Sequence, residues 1–317
     1  VPNNRSVDLP DSPPMSEDCL SLNVWTSAKS ANGKLPVMVW IYGGAYTEGA
    51  GSTPYNHGDT FAAKGVVYVS FNYRLGALGF LAHPELTKES PHGASGNYAL
   101  ADTLAALQWV KQNIAAFGGN PGNVTIFGES AGAAIAAALV GSPQGKGLFN
   151  RAIAESGTWM GLNLGPMRSR ESAEQQTVKV ASEIGASNLA ALRALSPDDA
   201  ANKLPKQGMI IDGWIVPEDL STTFANGKQN AVDVIAGSNK DEHSSLGGDV
   251  ALRDTMMWAM RLFAERQTAI GKRAYWYFFT HEPPVEPGAK NLKATHAAEI
   301  VYALDNLWAP RVFPDVS

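Results

Sequence analysis

The stretch Val124-Thr125-Ile126-Phe127-Gly128-Glu129-Ser130-Ala131-Gly132 decides how this chain is read. Its first four residues form an apolar, β-branched run suited to a strand. The Ala-rich run Ala133 to Val140 that follows suits a helix. Between them sits a G-x-S-x-G pattern, and strand, sharp turn and helix in that order make a nucleophile elbow. The glycines leave room where the backbone crowds its neighbours. The turn lifts the Ser130 hydroxyl clear of the sheet, and the helix N-terminus beneath it favours developing negative charge. A plain strand-to-helix turn with a surface serine is the competing reading. The pattern alone is weak in a chain with 31 glycines, so the flanking runs carry the weight.

Further apolar runs, rich in β-branched and aromatic residues, occur at Val37 to Tyr42, Val66 to Phe71, Ala152 to Ala154, Val232 to Ala236 and Ala274 to Phe279. Most are continuous rather than alternating, as strands are when both sheet faces are covered. Helical patterns lie between them. The clearest begins at Asn97 as N-cap and places Leu100, Leu104, Leu107, Val110 and Ile114 on one stripe. It ends at Phe117-Gly118-Gly119, where glycine supplies a left-handed cap. The alternation predicts an α/β fold with a mostly parallel, doubly wound sheet and helices on both faces. Residues 161–207 are polar and Ala-rich, with a helical patch at Ser172 to Ile184, and read as a helical cap or insertion. Thr280 to Lys293 reads as a Pro-rich loop.

The chain has 317 residues, 44% of them hydrophobic and 17% charged, which suits one large, well-filled domain. Its net charge of −5 comes without any basic run, so nucleic acid is not an expected partner. Cys19 is the single cysteine, so no disulfide forms within these residues and no Cys/His zinc spacing exists. No metal or other cofactor is expected. No apolar run is long enough to span a bilayer. The first residue is Val1 and no leader pattern is visible, so the expectation is a removed leader or a missing N-terminus.

Directly after the run Val37 to Ile41 comes Tyr42-Gly43-Gly44-Ala45-Tyr46. Small residues there let backbone N–H groups approach a substrate oxygen, as an oxyanion hole requires. A second donor is the N–H of Ala131, just after the serine. Where an elbow serine is the nucleophile, an acid and then a histidine follow it along the chain. Of six histidines, His243, His281 and His296 follow Ser130. The acid belongs in a loop after a strand, which makes Asp241 and Glu242 the candidates. His243 adjoins them too closely to fold back onto the same site, and His281 lies in the Pro-rich loop, so His296 is the leading base.

Several long segments together resemble one family, the type B carboxylesterases, which include bacterial para-nitrobenzyl esterases, animal carboxylesterases and cholinesterases. Ser16 to Val24 resembles its EDCLxLNV signature, Pro36 to Ile41 the strand before its glycine loop, and Asn72-Tyr73-Arg74-Leu75-Gly76 its NYRLG element. Phe117 to Gly132 is similar to its FGGDPxNVTIFGESAG signature. The likeness is close over Pro14 to Gly157, shorter near Asp212-Gly213, Ala236 to Ser244 and His296 to Leu307, and poor over Gly161 to Gln207.

The resemblance implies an α/β-hydrolase fold and hydrolysis of carboxylic esters through an acyl-enzyme, without a cofactor. It picks Glu242 as the acid, from Ser238-Asn239-Lys240-Asp241-Glu242, and His296 as the base, from His296-Ala297-Ala298-Glu299-Ile300-Val301-Tyr302. It maps the oxyanion donors to Gly44, Ala45 and Ala131. It reads Arg74 and Asp102 as a structural ion pair and Ser156 as a buttress for the acid. Glu129, Tyr46 and Trp159 are candidate substrate contacts, with Trp214 beside them; burial and core packing are the competing reading, favoured for Glu129 and the aromatics. Ala45 stands where many members have a third glycine, and His243 where they have glycine after the acid. The stretch from Glu242 to His296 is shorter than theirs. The chain also begins later and stops sooner, so the expectation is one domain incomplete at both ends. The resemblance slightly favours a secreted or periplasmic setting. The expected partner is a small-molecule ester. A non-catalytic binding or adhesion protein on the same fold, and an amide or thioester hydrolase with the same three residues, are the alternatives.

Overall fold

The computed structural model describes residues 15–160, 166–246, 250–285 and 290–307. Residues 161–165 of the expected insertion and 286–289 of the Pro-rich loop lie outside the described residues. The strands are β1 (Leu22–Trp25), β2 (Leu35–Ile41), β3 (Val67–Phe71), β4 (Gly119–Glu129), β5 (Arg151–Glu155), β6 (Arg168–Ser169), β7 (Ile210–Ile211), β8 (Asp233–Asn239) and β9 (Ala274–Phe279). The helices are α1 (Asp59–Ala63), α2 (Gly76–Phe80), α3 (Pro84–Glu89), α4 (Tyr98–Asn113), α5 (Ala131–Gly141), α6 (Arg170–Glu183), α7 (Leu189–Arg193), α8 (Pro197–Lys203), α9 (Leu220–Ala225), α10 (His243–Leu246), α11 (Val250–Ala269) and α12 (Ile300–Ala303).

The main sheet runs in the order β1-β3-β2-β4-β5-β8-β9. Only β1 is antiparallel to its neighbour; the other pairings are parallel. The runs predicted as strands form its parallel core. Strand β1 was not anticipated, since its four residues are all half-buried and carry no continuous apolar signal. The pair β6-β7 is a separate two-residue ladder, too short to register in a pattern.

Burial explains the continuous runs of the inner strands, whereas β9, at the sheet edge, leaves Tyr275 and Trp276 exposed. Every residue of β3 and every residue of α5 is buried. The sequence of α5, mostly Ala and Gly, lets the helix lie close on β4 and β5. Aromatic rings fill the layer around the centre of the sheet: Trp40 meets Phe127 edge-on with centroids 4.8 Å apart, and Tyr68 packs on Phe127 and Phe61. Helix α4 runs on through a 3₁₀ turn, Ile114–Phe117, and stops at Gly118 with φ +80°, as predicted. Its start differs in mechanism. The Asn97 side chain does not cap the helix; it exchanges hydrogen bonds with the backbone of Ile210, tying α4 to the segment beyond α8. Helices α6 to α8 occupy the Ala-rich stretch, and their residues Ala181, Leu192 and Ala200 pack with Ala77 and Leu81 in a small cluster of their own. Arg74 and Asp102 form a two-pronged ion pair. No helix among the described residues is long and apolar enough to cross a membrane.

The topology fixes where a site can form. From β2 the chain places β3 on one side and then β4 on the other. Such a reversal opens a crevice at the carboxyl ends of the two diverging strands. The loops that leave there are Tyr42 to Tyr46 after β2 and the Ser130 turn after β4.

Candidate active site

Ser130 stands between β4 and α5 with φ +56° and ψ −121°, a conformation that a residue with a Cβ adopts only when its surroundings force it. The forcing contacts are visible. The Ser130 N–H donates to the Glu155 carbonyl at 2.8 Å. A Cβ on Gly132 would come within 1.9 Å of the Ile41 carbonyl oxygen, and one on Gly128 within 2.4 Å of the same atom. A Cβ on Gly157 would come within 2.2 Å of the Ser130 carbonyl oxygen. The elbow is therefore wedged between the ends of β2 and β5, where only glycine fits.

The loop after β2 is shaped by consecutive left-handed residues: Gly44 (φ +114°), Ala45 (φ +51°) and Tyr46 (φ +64°). The N–H groups of Thr47 and Glu48 both return to the Gly44 carbonyl. Among the described residues, the N–H groups of Gly44, Ala45 and Ala131 have no such acceptor. Backbone turned this way forms a concave donor nest suited to an anion.

On the far side of the elbow, His296 is buried between two carboxylates. Its Nδ1 lies 2.6 Å from Glu242 Oε2, and its Nε2 lies 3.1 Å from Glu129 Oε1. The other oxygen of Glu129 reaches over Gly43. The point where a Gly43 Cβ would stand is 2.9 Å from Glu129 Oε2 and 3.0 Å from the Ser130 Cβ. Ser130, Glu129, the glycine loop and His296 thus share one small volume. Glu242 Oε1 accepts the Asn239 N–H at 2.8 Å. Asp241, the other candidate acid, instead clamps the approaching chain: its N–H donates to the Ala294 carbonyl, and its carboxylate accepts the Ala294 N–H. His281 is exposed and contacts the Tyr302 hydroxyl. His243 follows Glu242 as the first residue of α10.

The electrostatics follow from burial among like charges. Burial raises the Glu129 carboxyl well above the usual range; the His296 cation opposes this, and Glu299 and Glu242 add to it. Burial would also raise Glu242, but the His296 cation, the hydrogen bond to it and the Asn239 N–H outweigh it and hold Glu242 low. Burial works to lower His296; the carboxylates of Glu129 and Glu242 overcome it and hold the imidazole up, to about 10. Glu299 and Glu155, also fully enclosed, are both raised, Glu299 to about 7.

Two aromatic candidates sit in packing. Trp159 is enclosed, stacked on Phe224 at 3.9 Å and edge-on to Phe263, with its indole N–H on the Ser221 hydroxyl. Tyr46 leans on Phe80, its hydroxyl buried. Trp214 is half-buried and stacked on His92 at 3.7 Å. The sequence reading missed Asn239, Glu155 and Glu299, although Asn239 and Glu299 lie inside the two motifs that gave the acid and the base.

Residues 2–256 match the model of the carboxylesterase family. The chain belongs to the carboxylesterase family. It is 43% identical over 236 residues to the fumonisin B1 esterase of Sphingopyxis macrogoltabida, covering 72% of this chain and 43% of that protein. It is 39% identical over 251 residues to the para-nitrobenzyl esterase of Bacillus subtilis (strain 168), covering 75% of this chain and 50% of that one. A crystal structure of a Geobacillus stearothermophilus carboxylesterase at pH 6.8 superposes with a TM-score of 0.78 at 32% identity, over 95% of this chain and 72% of that one. The fold is the α/β-hydrolase fold of these carboxylesterases. This carboxylesterase-family chain spans about half the length of the curated relatives it matches.

Proposed function

We propose that this chain carries the catalytic machinery of a serine carboxylesterase, with Ser130 as nucleophile, His296 as general base and Glu242 as its orienting acid. The observation that carries the reading is the buried 2.6 Å contact between His296 Nδ1 and Glu242, beside a serine held in strained elbow geometry. The chain is similar to proteins named fumonisin B1 esterase, para-nitrobenzyl esterase, carboxylesterase 1C and bile salt-activated lipase, which supports an ester as the substrate class.

In the proposed cycle His296 Nε2 takes the Ser130 proton as Oγ attacks the ester carbonyl. The oxyanion that forms is met by the N–H groups of Gly44, Ala45 and Ala131. Glu242 stabilises the imidazolium, which then protonates the departing alcohol. Water, activated by the same imidazole, releases the acid from the acyl-enzyme. Glu129 sits where it competes for the Nε2 proton in the resting site and adds a second negative charge beside the imidazolium. The single domain and its helical insertion at 161–207 belong to this same reading, with α6 to α8 supporting the crevice from the α2 side.

The test is covalent labelling by a fluorophosphonate probe, together with turnover of aryl esters of graded acyl length. Wild type is expected to label and turn over. Ser130→Ala is expected to do neither, with turnover reduced by at least about 10³-fold. Labelling without ester turnover, but with cleavage of the matching amide or thioester, would move the reading to those bonds. A folded protein that does not label would make it a binding protein.

A further inference from the structure

Asn239, the last residue of β8, makes three contacts that converge on the site. Its backbone N–H donates to Glu242 Oε1 at 2.8 Å. Its side-chain nitrogen donates to the Thr295 carbonyl at 2.7 Å and also to Glu299 Oε2. Thr295 directly precedes His296, and Glu299 follows it by three residues. Both side-chain partners accept hydrogen bonds, so the amide can present only its nitrogen to them. Asn239, Glu242 and Glu299 are enclosed, with Asn239 and Glu242 wholly shielded from solvent. The second oxygen of Glu299 accepts from Ser156 Oγ at 3.3 Å, which anchors the far end of the contact on the turn after β5.

These contacts bridge chain segments more than fifty residues apart. The acid arrives on the loop after β8 and the base on the segment before α12. Besides the Glu242–His296 contact itself, the links between them include Asp241 against Ala294 and Thr295, and Asn239 against Thr295 and Glu299. The Asp241 link sets the approach of the chain. The Asn239 link touches the acid with its backbone N–H and brackets the base with its side-chain amide.

We propose that Asn239, acting through Glu299, is a positioning residue that fixes the acid and the base of this site relative to one another. The proposal rests on the Ser130–His296–Glu242 reading above. Without the side-chain amide, the segment carrying His296 is free to shift against Glu242, and displacements near 1 Å suffice to cost about 10²-fold in turnover. Asn239 also holds the charge of Glu299 in place, because its amide favours the ionised carboxyl. The charged and titratable groups around His296 and Glu299 are Glu129 from β4, Glu155 from β5, Glu242 after β8 and Tyr277 from β9. Losing the amide raises Glu299 further and removes one negative charge from the surroundings of His296.

The experiment measures kcat and KM for an aryl ester against pH in wild type, Asn239→Ala and Asn239→Asp, with folding followed by circular dichroism. Asn239→Asp keeps the shape and the backbone N–H but turns the donor into an acceptor. Both variants are expected to lose about 10- to 100-fold in kcat with KM within about threefold of wild type. The acid limb of kcat/KM is expected to move to lower pH in Asn239→Ala. Glu299→Gln, which keeps volume and hydrogen bonding, is the second variant should the Asn239 changes not fold. It is expected to move the same limb downward with a smaller fall in kcat. Ser130→Ala and His296→Ala run alongside. If those two retain turnover, the triad reading fails. If they are inactive while folded Asn239→Ala, Asn239→Asp or Glu299→Gln keeps the wild-type kcat and pH profile, the positioning role is overturned and the triad reading stands.

Discussion

At the scale of single residues, the proposed chemistry turns on an imidazole shared by two carboxylates. A base must be neutral to accept the Ser130 proton. Glu129 and Glu242 hold the protonated form of His296 up against the lowering effect of its burial, so turnover is expected to switch on as pH rises, with an acid limb above the unperturbed value near 6.5. Glu129→Gln removes the charge 3.1 Å from Nε2 and leaves Glu242 in place. The acid limb of kcat/KM is then expected to fall by about 1 to 3 units, the usual reach of an adjacent charge, read from initial rates between pH 5 and 10. An unmoved limb would mean that Glu129 does not govern the base. The candidates of the proposed site are legible in the sequence because each sits in a local pattern: an elbow for Ser130, a post-strand loop for Asp241 or Glu242, of which the family resemblance picks Glu242, and a helix-opening histidine for His296. The contacts of Glu129, Asn239 and Glu299 are not, because they join residues over fifty positions apart and depend on where a side chain points once the chain is closed. Glu129 was read as buried and paired, yet nothing in the pattern names His296 as its partner. For Trp159 core packing is the favoured reading of the sequence, and its packing against Phe224 and Phe263 agrees with it.

At the scale of elements, the elbow is a junction of three strands and a helix held by close backbone approach. The register that pairs Ile41 with Gly128 brings the end of β2 against the start of α5. A methyl group on Gly132 would have to occupy space 1.9 Å from the Ile41 carbonyl oxygen. Backbone cannot yield there without unpairing β2 from β4. Gly132→Ala is therefore expected to destabilise the protein by about 3 kcal/mol or more, at the upper end for overpacking. It is also expected to reduce ester turnover in whatever fraction stays folded. Urea melts paired with activity at fixed folded concentration separate the two effects, and a wild-type midpoint would refute the crowding argument. The same closeness explains why the parallel core was readable: strands buried on both faces must be continuous apolar runs, and the helices between them must alternate. Strand β1 lies at the edge with half-buried residues and leaves no such trace. The role of Asn97 likewise escaped, because a helix-opening asparagine looks the same whether it caps its own helix or, as here, binds the backbone of Ile210.

At the scale of the whole molecule, stability and activity are set against each other along the pH axis. Glu155 and Glu299 are enclosed with raised pKa values, Glu299 to about 7. A carboxyl that is raised on folding holds its proton in the native state while the unfolded chain loses it above about 4.5, so stability falls as pH climbs through that window. His296 acts in the same direction: its folded value lies above the unfolded one, so its contribution is complete below about 6.5 and disappears toward 10. Glu242 is the opposite case; its lowered pKa adds stability that is lost only as pH falls below the ordinary carboxyl range. The fold is thus expected to be firmest in mildly acidic solution, where the proposed base His296 is charged, and to loosen toward the alkaline side, where it is neutral. Thermal melts from pH 5 to 9 should show the midpoint descending over that range. Glu299→Gln, which cannot ionise, should flatten the descent between about pH 5 and 7 and leave the alkaline part set by His296. A wild-type midpoint that climbs between pH 5 and 8 would contradict the enclosure of these carboxyls, because only groups lowered on folding produce that slope.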